Sequence, residues 1–157
     1  TAEAGDMFLC FVGGKLFTDV DPTVSVTYGA QNFGTITDAL ARVVGSAGDI
    51  PFSQAFLLAT PTVGTNTVSV TSTPGLVGGG FTVLVIRNHY AADPIFSSIG
   101  DAVKGEFFHS TTAGVANIDD SLVLAGQYTD AASTLFNNQQ EIWNEQVTTI
   151  TPNNPVI

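Results

Sequence analysis

This sequence predicts an all-β fold: an antiparallel two-sheet β-sandwich, jelly-roll-like, with at most one or two short helices. Three observations agree on it. Short stretches alternate apolar and polar residues with period two, they are enriched in Val, Ile, Thr and Phe, and Gly or Pro bounds them. Six to eight such stretches, spaced by roughly ten to fifteen residues without a strand–helix–strand rhythm, suit a sandwich rather than a parallel sheet. An immunoglobulin-like order also fits that spacing. There is no Cys pair, however, and the single Trp lies near the C-terminal end, so the jelly roll is preferred.

Taken in order, residues 7–12 (Met-Phe-Leu-Cys-Phe-Val) form a compact apolar run expected to be a buried strand ending at Gly13-Gly14. In residues 24–28, Val24, Val26 and Tyr28 fall on one face and Ser25 and Thr27 on the other. Residues 37–44 are balanced between two helical turns, capped by Thr37 or Asp38 and stopped at Gly45, and a loop followed by a strand. Residues 54–60 are apolar and stop at Pro61; residues 65–73 alternate, with Val68 and Val70 opposite Thr67, Ser69 and Thr71. Gly78-Gly79-Gly80 reads as a hairpin turn leading into residues 81–88, the strongest strand pattern in the chain. Residues 121–129 repeat that style after Asp119-Asp120. A second helical candidate, residues 131–143, places Leu135, Phe136, Ile142 and Trp143 near helical spacing but is interrupted by Asn137-Asn138.

At 157 residues the chain is long enough for one core, and eleven Phe with a mean hydropathy of +0.29 argue against disorder. Only 11% of residues are charged, below the roughly 25% of an average soluble protein. Four cations (Lys15, Arg42, Arg87, Lys104) face fourteen carboxylates, a net charge of −10. That balance excludes nucleic acid as a partner, because phosphate binding needs clustered Lys and Arg. It also disfavours anionic membrane surfaces, and no apolar run is long enough to span a bilayer. No basic segment followed by an apolar stretch opens the sequence, so no signal peptide is expected in it. A lone Cys10 forbids an internal disulfide.

Two units are expected: a sandwich over residues 1–136 and an extension over residues 137–157. The last ten residues are uncharged, and Pro152 and Pro155 exclude a helix or a central strand there. The extension is read either as a strand folding back on its own sandwich or as an arm on a neighbouring subunit. The arm reading makes Trp143, Ile150, Pro152, Pro155 and Val156 the interface candidates.

The order of segments carries a resemblance. Gly5-Asp6 runs into the apolar strand; residues 55–59, the Thr/Ser strand 65–72 and the long strand follow; then come Ala92-Asp93-Pro94-Ile95, Thr111-Thr112 and Asp120-Ser121-Leu122-Val123-Leu124-Ala125-Gly126. This succession resembles β-sandwich domains of tailed-phage virion proteins, over residues 5–131. The resemblance implies a structural or surface-display role on a virus particle, as head decoration, tail appendage or fibre. This sequence departs from the pattern at residues 13–20, which lack the Trp those domains carry there. A strand upstream of Gly-Asp is also wanting. The N terminus is trimmed, or a neighbouring chain or the C-terminal segment supplies that strand.

No catalytic constellation is read from the sequence. Cys10, with His89 or His109 as base, would be a nucleophile, but its apolar surroundings favour a buried inert thiol. The two His residues lack zinc spacing, and Asp19, Asp21, Asp119 and Asp120 read as turn formers before calcium ligands. No metal or cofactor is therefore expected. The role expected is a non-enzymatic capsid decoration or cement protein on the virion surface, contacting other virion proteins such as the major capsid protein and forming a homo-oligomer such as a trimer. The alternative is a glycan-binding tail or fibre module, or a secreted or cell-surface adhesin, using His89 and Tyr90. Tyr28 and Tyr128 are expected to be half-buried at strand ends with their hydroxyls in water.

Overall fold

The computed structural model describes residues 1–42, 50–76, 78–87 and 89. Among them there is no helix. Seven strands form two antiparallel sheets: β1 (Met7–Leu16), β2 (Thr23–Tyr28), β3 (Gln31–Asn32), β4 (Gly34–Arg42), β5 (Ile50–Leu58), β6 (Val68–Thr73) and β7 (Gly78–Ile86). One sheet has the order β4-β5-β1-β7 and the other β3-β2-β6. The expected two-sheet sandwich is what forms. The jelly-roll connectivity, the strand at residues 121–129, the helix candidate at 131–143 and the boundary at 136/137 all lie wholly or in part outside the described residues.

β1 is central because its sequence is apolar on both faces. Phe8, Cys10, Val12 and Leu16 point into the core, while Met7 and Leu9, on the opposite face, are 3% and 4% exposed. β5 lies antiparallel beside it, with Phe8 facing Leu58, Cys10 facing Phe56 and Leu16 facing Ile50. The second sheet contributes Val26 and Tyr28, backed by Val24, Val68 and Val70. Along β2 and β6 each valine and Tyr28 is more buried than its polar neighbours, as expected for a sheet with one face in water. Phe8 and Tyr28 meet edge to face across the two sheets, ring centroids 5.1 Å apart at 78°. Each large core side chain so buried contributes about 1.5–3 kcal/mol relative to exposure.

Several boundaries differ from the sequence reading. β1 does not end at Gly13-Gly14 but runs through them to Leu16. The glycines at 78–80 are not a hairpin turn: they open β7, where Gly80 faces Gly13, Gly79 faces Gly14 and Gly78 faces Lys15. A glycine strand on a glycine strand has no side-chain pattern, so turn chemistry is all that its sequence displays. The reason for glycine is space. A Cβ on Gly79 would fall on the Gly13 carbonyl and 2.8 Å from Gly14 Cα; one on Gly14 would lie 2.8 Å from the Gly78 carbonyl oxygen and 3.1 Å from Leu76.

Residues 37–42 are strand, not helix. β4 pairs Thr35 with Phe56 and next Leu40 with Gln54, so five steps on β4 match two on β5. That irregularity breaks the period-two pattern and makes the stretch look helical. β5 begins at Ile50, four residues before the expected start, and ends at Leu58; β6 begins only at Val68.

Candidate functional site

Two constructed regions stand out at opposite ends of the sandwich. The first is the loop between β1 and β2. Arg42, at the end of β4, donates from Nη1 to Asp19 and from Nε to Asp21 Oδ1, the latter at 2.8 Å. Its side chain is only 10% exposed, and both carboxylates hold the guanidinium pKa above its ordinary value. Val20 N–H donates to the Thr18 carbonyl at 2.8 Å. The loop so fixed presents two apolar side chains to solvent, Phe17 at 65% and Val20 at 57% exposure. Sequence reading singled out Asp19 and Asp21 but missed Arg42 as their partner. A separation of more than twenty residues with no shared motif gave no signal. A guanidinium directed at both carboxylates offsets half of their negative charge and weakens their attraction for a metal cation at that place.

The second region gathers around Gly64, in the loop between β5 and β6. Gly64 exchanges two backbone hydrogen bonds with Ala2, at 2.8 and 2.9 Å. Its carbonyl also accepts from the Tyr28 hydroxyl. Tyr28 is therefore fully buried and internally bonded, not half-buried with its hydroxyl in water. Gln31 holds the same loop with both ends of its amide, donating to the Thr60 carbonyl at 3.1 Å and accepting from Thr62 N–H at 2.5 Å. Val63 projects from this fixed loop, 63% exposed.

Asp6 lies close to the same end. Its carboxylate is buried, accepting from Glu3 N–H at 2.8 Å and from Arg87 Nε at 2.8 Å. The Glu3 amide and then the Arg87 guanidinium hold its pKa below the usual carboxylate range. Arg87 Nη2 also reaches Glu3 Oε2 at 3.1 Å. The Gly5-Asp6 pair now has a physical account: Gly5 adopts φ +84°, which turns the chain so that Asp6 can cap it.

Of the other candidates, Cys10 is fully buried in the core, and desolvation pushes its thiol up to about 12. A thiol so placed is not a nucleophile at neutral pH. His89 is partly buried, and its Nδ1 has no hydrogen-bond partner. Tyr90, Trp143, Ile150, Pro152, Pro155 and Val156 lie outside the described residues, as do His109, Asp119, Asp120 and Tyr128. Among the described residues no three His, Cys, Asp or Glu side chains come together as a metal site, and no helix is long and apolar enough to cross a membrane. No protein-family model, no curated protein and no solved structure matches this chain.

Proposed function

We propose that this β-sandwich is a structural protein that works by contact with other proteins, and that the loop carrying Phe17 and Val20 is part of its contact surface. The observation that carries this reading is the pairing of exposed apolar side chains with a loop tied by Arg42 to the end of β4. Two apolar side chains stand in water on a loop fixed by a two-carboxylate clamp, so burying them against a partner gains apolar area with little loop entropy lost. The low charge of the chain supports the same reading, since few long charged side chains need desolvating when its surface is covered. Excess negative charge also keeps free subunits apart before assembly.

The finer reading rests on the resemblance in segment order. It is a non-enzymatic capsid decoration or cement protein on a virion surface, seated on the major capsid protein and associated as a homo-oligomer such as a trimer. Co-sedimentation with capsid shells tests it. Binding that raises the shell melting temperature and is lost in Phe17→Ser, with the fold of the isolated chain intact, is the expected result. Absence of shell binding, together with a glycan-array signal abolished by Tyr90→Ala, would overturn it in favour of the glycan-binding module.

A further inference from the structure

We propose that residues 1–6 form a strap that opens as a unit while the sandwich stays folded, and that Arg87 is the catch that holds it shut. Among the described residues the strap touches the body at few places. Ala2 exchanges its pair of backbone hydrogen bonds with Gly64 and buries its methyl group in the core; the Thr1 and Thr65 hydroxyls share one exposed hydrogen bond of 2.8 Å. Immediately after the strap, β1 is paired with β5 and with β7 over nine residues on each side. The free energy of a local opening follows what must be broken, so the strap belongs to the low end of the range and β1 to the high end.

The strap is closed on itself. Residues 3–6 form a closed turn, with Asp6 N–H donating to the Glu3 carbonyl at 3.2 Å and Glu3 N–H donating to Asp6 Oδ2 at 2.8 Å. Gly5, at its corner, has φ +84° and nothing within 4 Å of where a Cβ would stand.

What holds the strap shut is Arg87. From just beyond β7 this one side chain grips both carboxylates of the strap, Asp6 Oδ1 through Nε at 2.8 Å and Glu3 Oε2 through Nη2 at 3.1 Å. The Asp6 side chain is wholly shielded, whereas that of Arg87 is 56% exposed. The catch is therefore reachable from solvent and the group it holds is not. Opening would free the Gly64 N–H and vacate the place of the Ala2 methyl, leaving the Gly64 carbonyl still bound by Tyr28.

Amide hydrogen exchange read residue by residue tests this, because among the described residues the Gly64 amide is bonded to the strap and Cys10 lies inside the sheet. In the unmodified chain Gly64 is expected to exchange at least 100-fold faster than Cys10. Its rate should not change at low denaturant, while that of Cys10 climbs with it. Phe56→Ala, which weakens the closed and the opened sandwich alike, should speed Cys10 and leave Gly64 within twofold. Arg87→Gln, which weakens the closed state alone, should speed both amides by one common factor of about ten. Glu3→Gln, which removes only the exposed half of the grip, should speed Gly64 two- to threefold. The proposal is overturned if Gly64 and Cys10 share one rate and one denaturant dependence in the unmodified chain, if Phe56→Ala speeds Gly64 as much as Cys10, or if neither Arg87→Gln nor Glu3→Gln speeds Gly64. The comparison in the unmodified chain stands even if Arg87→Gln fails to fold.

Discussion

At Gly79 the requirement for a particular amino acid is steric. Its Cα faces Gly14 across the β1–β7 ladder, and any side chain would drive into the backbone of Gly13 and Gly14. Backbone cannot rotate away as a side chain tip can, so Gly79→Ala is expected to cost about 1–3 kcal/mol, the range of core overpacking. Gly75, where a Cβ meets nothing within 4 Å, should accept Ala with little change, and urea denaturation of the pair separates the two cases. Tyr28→Phe is expected to cost about 0.5–1.5 kcal/mol, one internal hydrogen bond, because the Gly64 carbonyl keeps the Ala2 amide and the ring keeps its edge contact with Phe8. Asp6 predicts a pH dependence. Its pKa is depressed in the folded state, so it adds stability above the ordinary aspartate value and loses it as pH falls from there through the depressed one. Asp6→Asn should melt lower at neutral pH, with the two melting curves converging in acid. None of these roles could be read from composition. Gly79 shows only a turn signal in the sequence, and the partner of Asp6 lies 81 residues away.

Individual strands were legible where one side-chain pattern had one cause. β2 has a single buried face, and Val24, Val26 and Tyr28 mark it in the sequence as they do in the fold. The apolar core of β1 is equally plain, because a strand buried on both faces leaves a continuous run. β4 was not legible, and its pairing says why: the register slips between Thr35 and Leu40, so alternation before and after the slip is out of phase. The missed first half of β5 has a different origin. Ile50, Pro51 and Phe52 carry a Pro that reads as a boundary, yet Pro51 lies within the strand beside Lys15. The energetic weight of β5 is expected to rest on Phe56, 1% exposed and facing Cys10 on one side and Thr35 on the other. Phe56→Ala should destabilise by about 3–5 kcal/mol, whereas Leu57→Ala, half-buried on the other face, should cost less. Thermal melts of the two variants side by side check the difference.

For the molecule as a whole, Cys10 offers a direct measure of how the sandwich holds together. It lies mid-strand in the central strand, between Phe56 of β5 and Val83 of β7, with no exposed surface. Burial raises its pKa to about 12, so at pH 8 almost none of the folded protein carries a thiolate. Both obstacles, access and ionisation, vanish together only when β1 leaves the sheet. Thiol labelling at pH 8 is therefore expected to proceed at the rate or population of global unfolding. It should accelerate in Phe56→Ala and Gly79→Ala in proportion to their loss of stability, and in Glu3→Gln by no more than the two- to threefold taken from the closed state. A Gly64 amide that accelerates in Phe56→Ala as much as Cys10 labelling does would mean that the strap and the central strand open together. The sandwich would then be one cooperative unit down to its first residues, and residues 1–6 would be part of the core's stability and no longer separable from it.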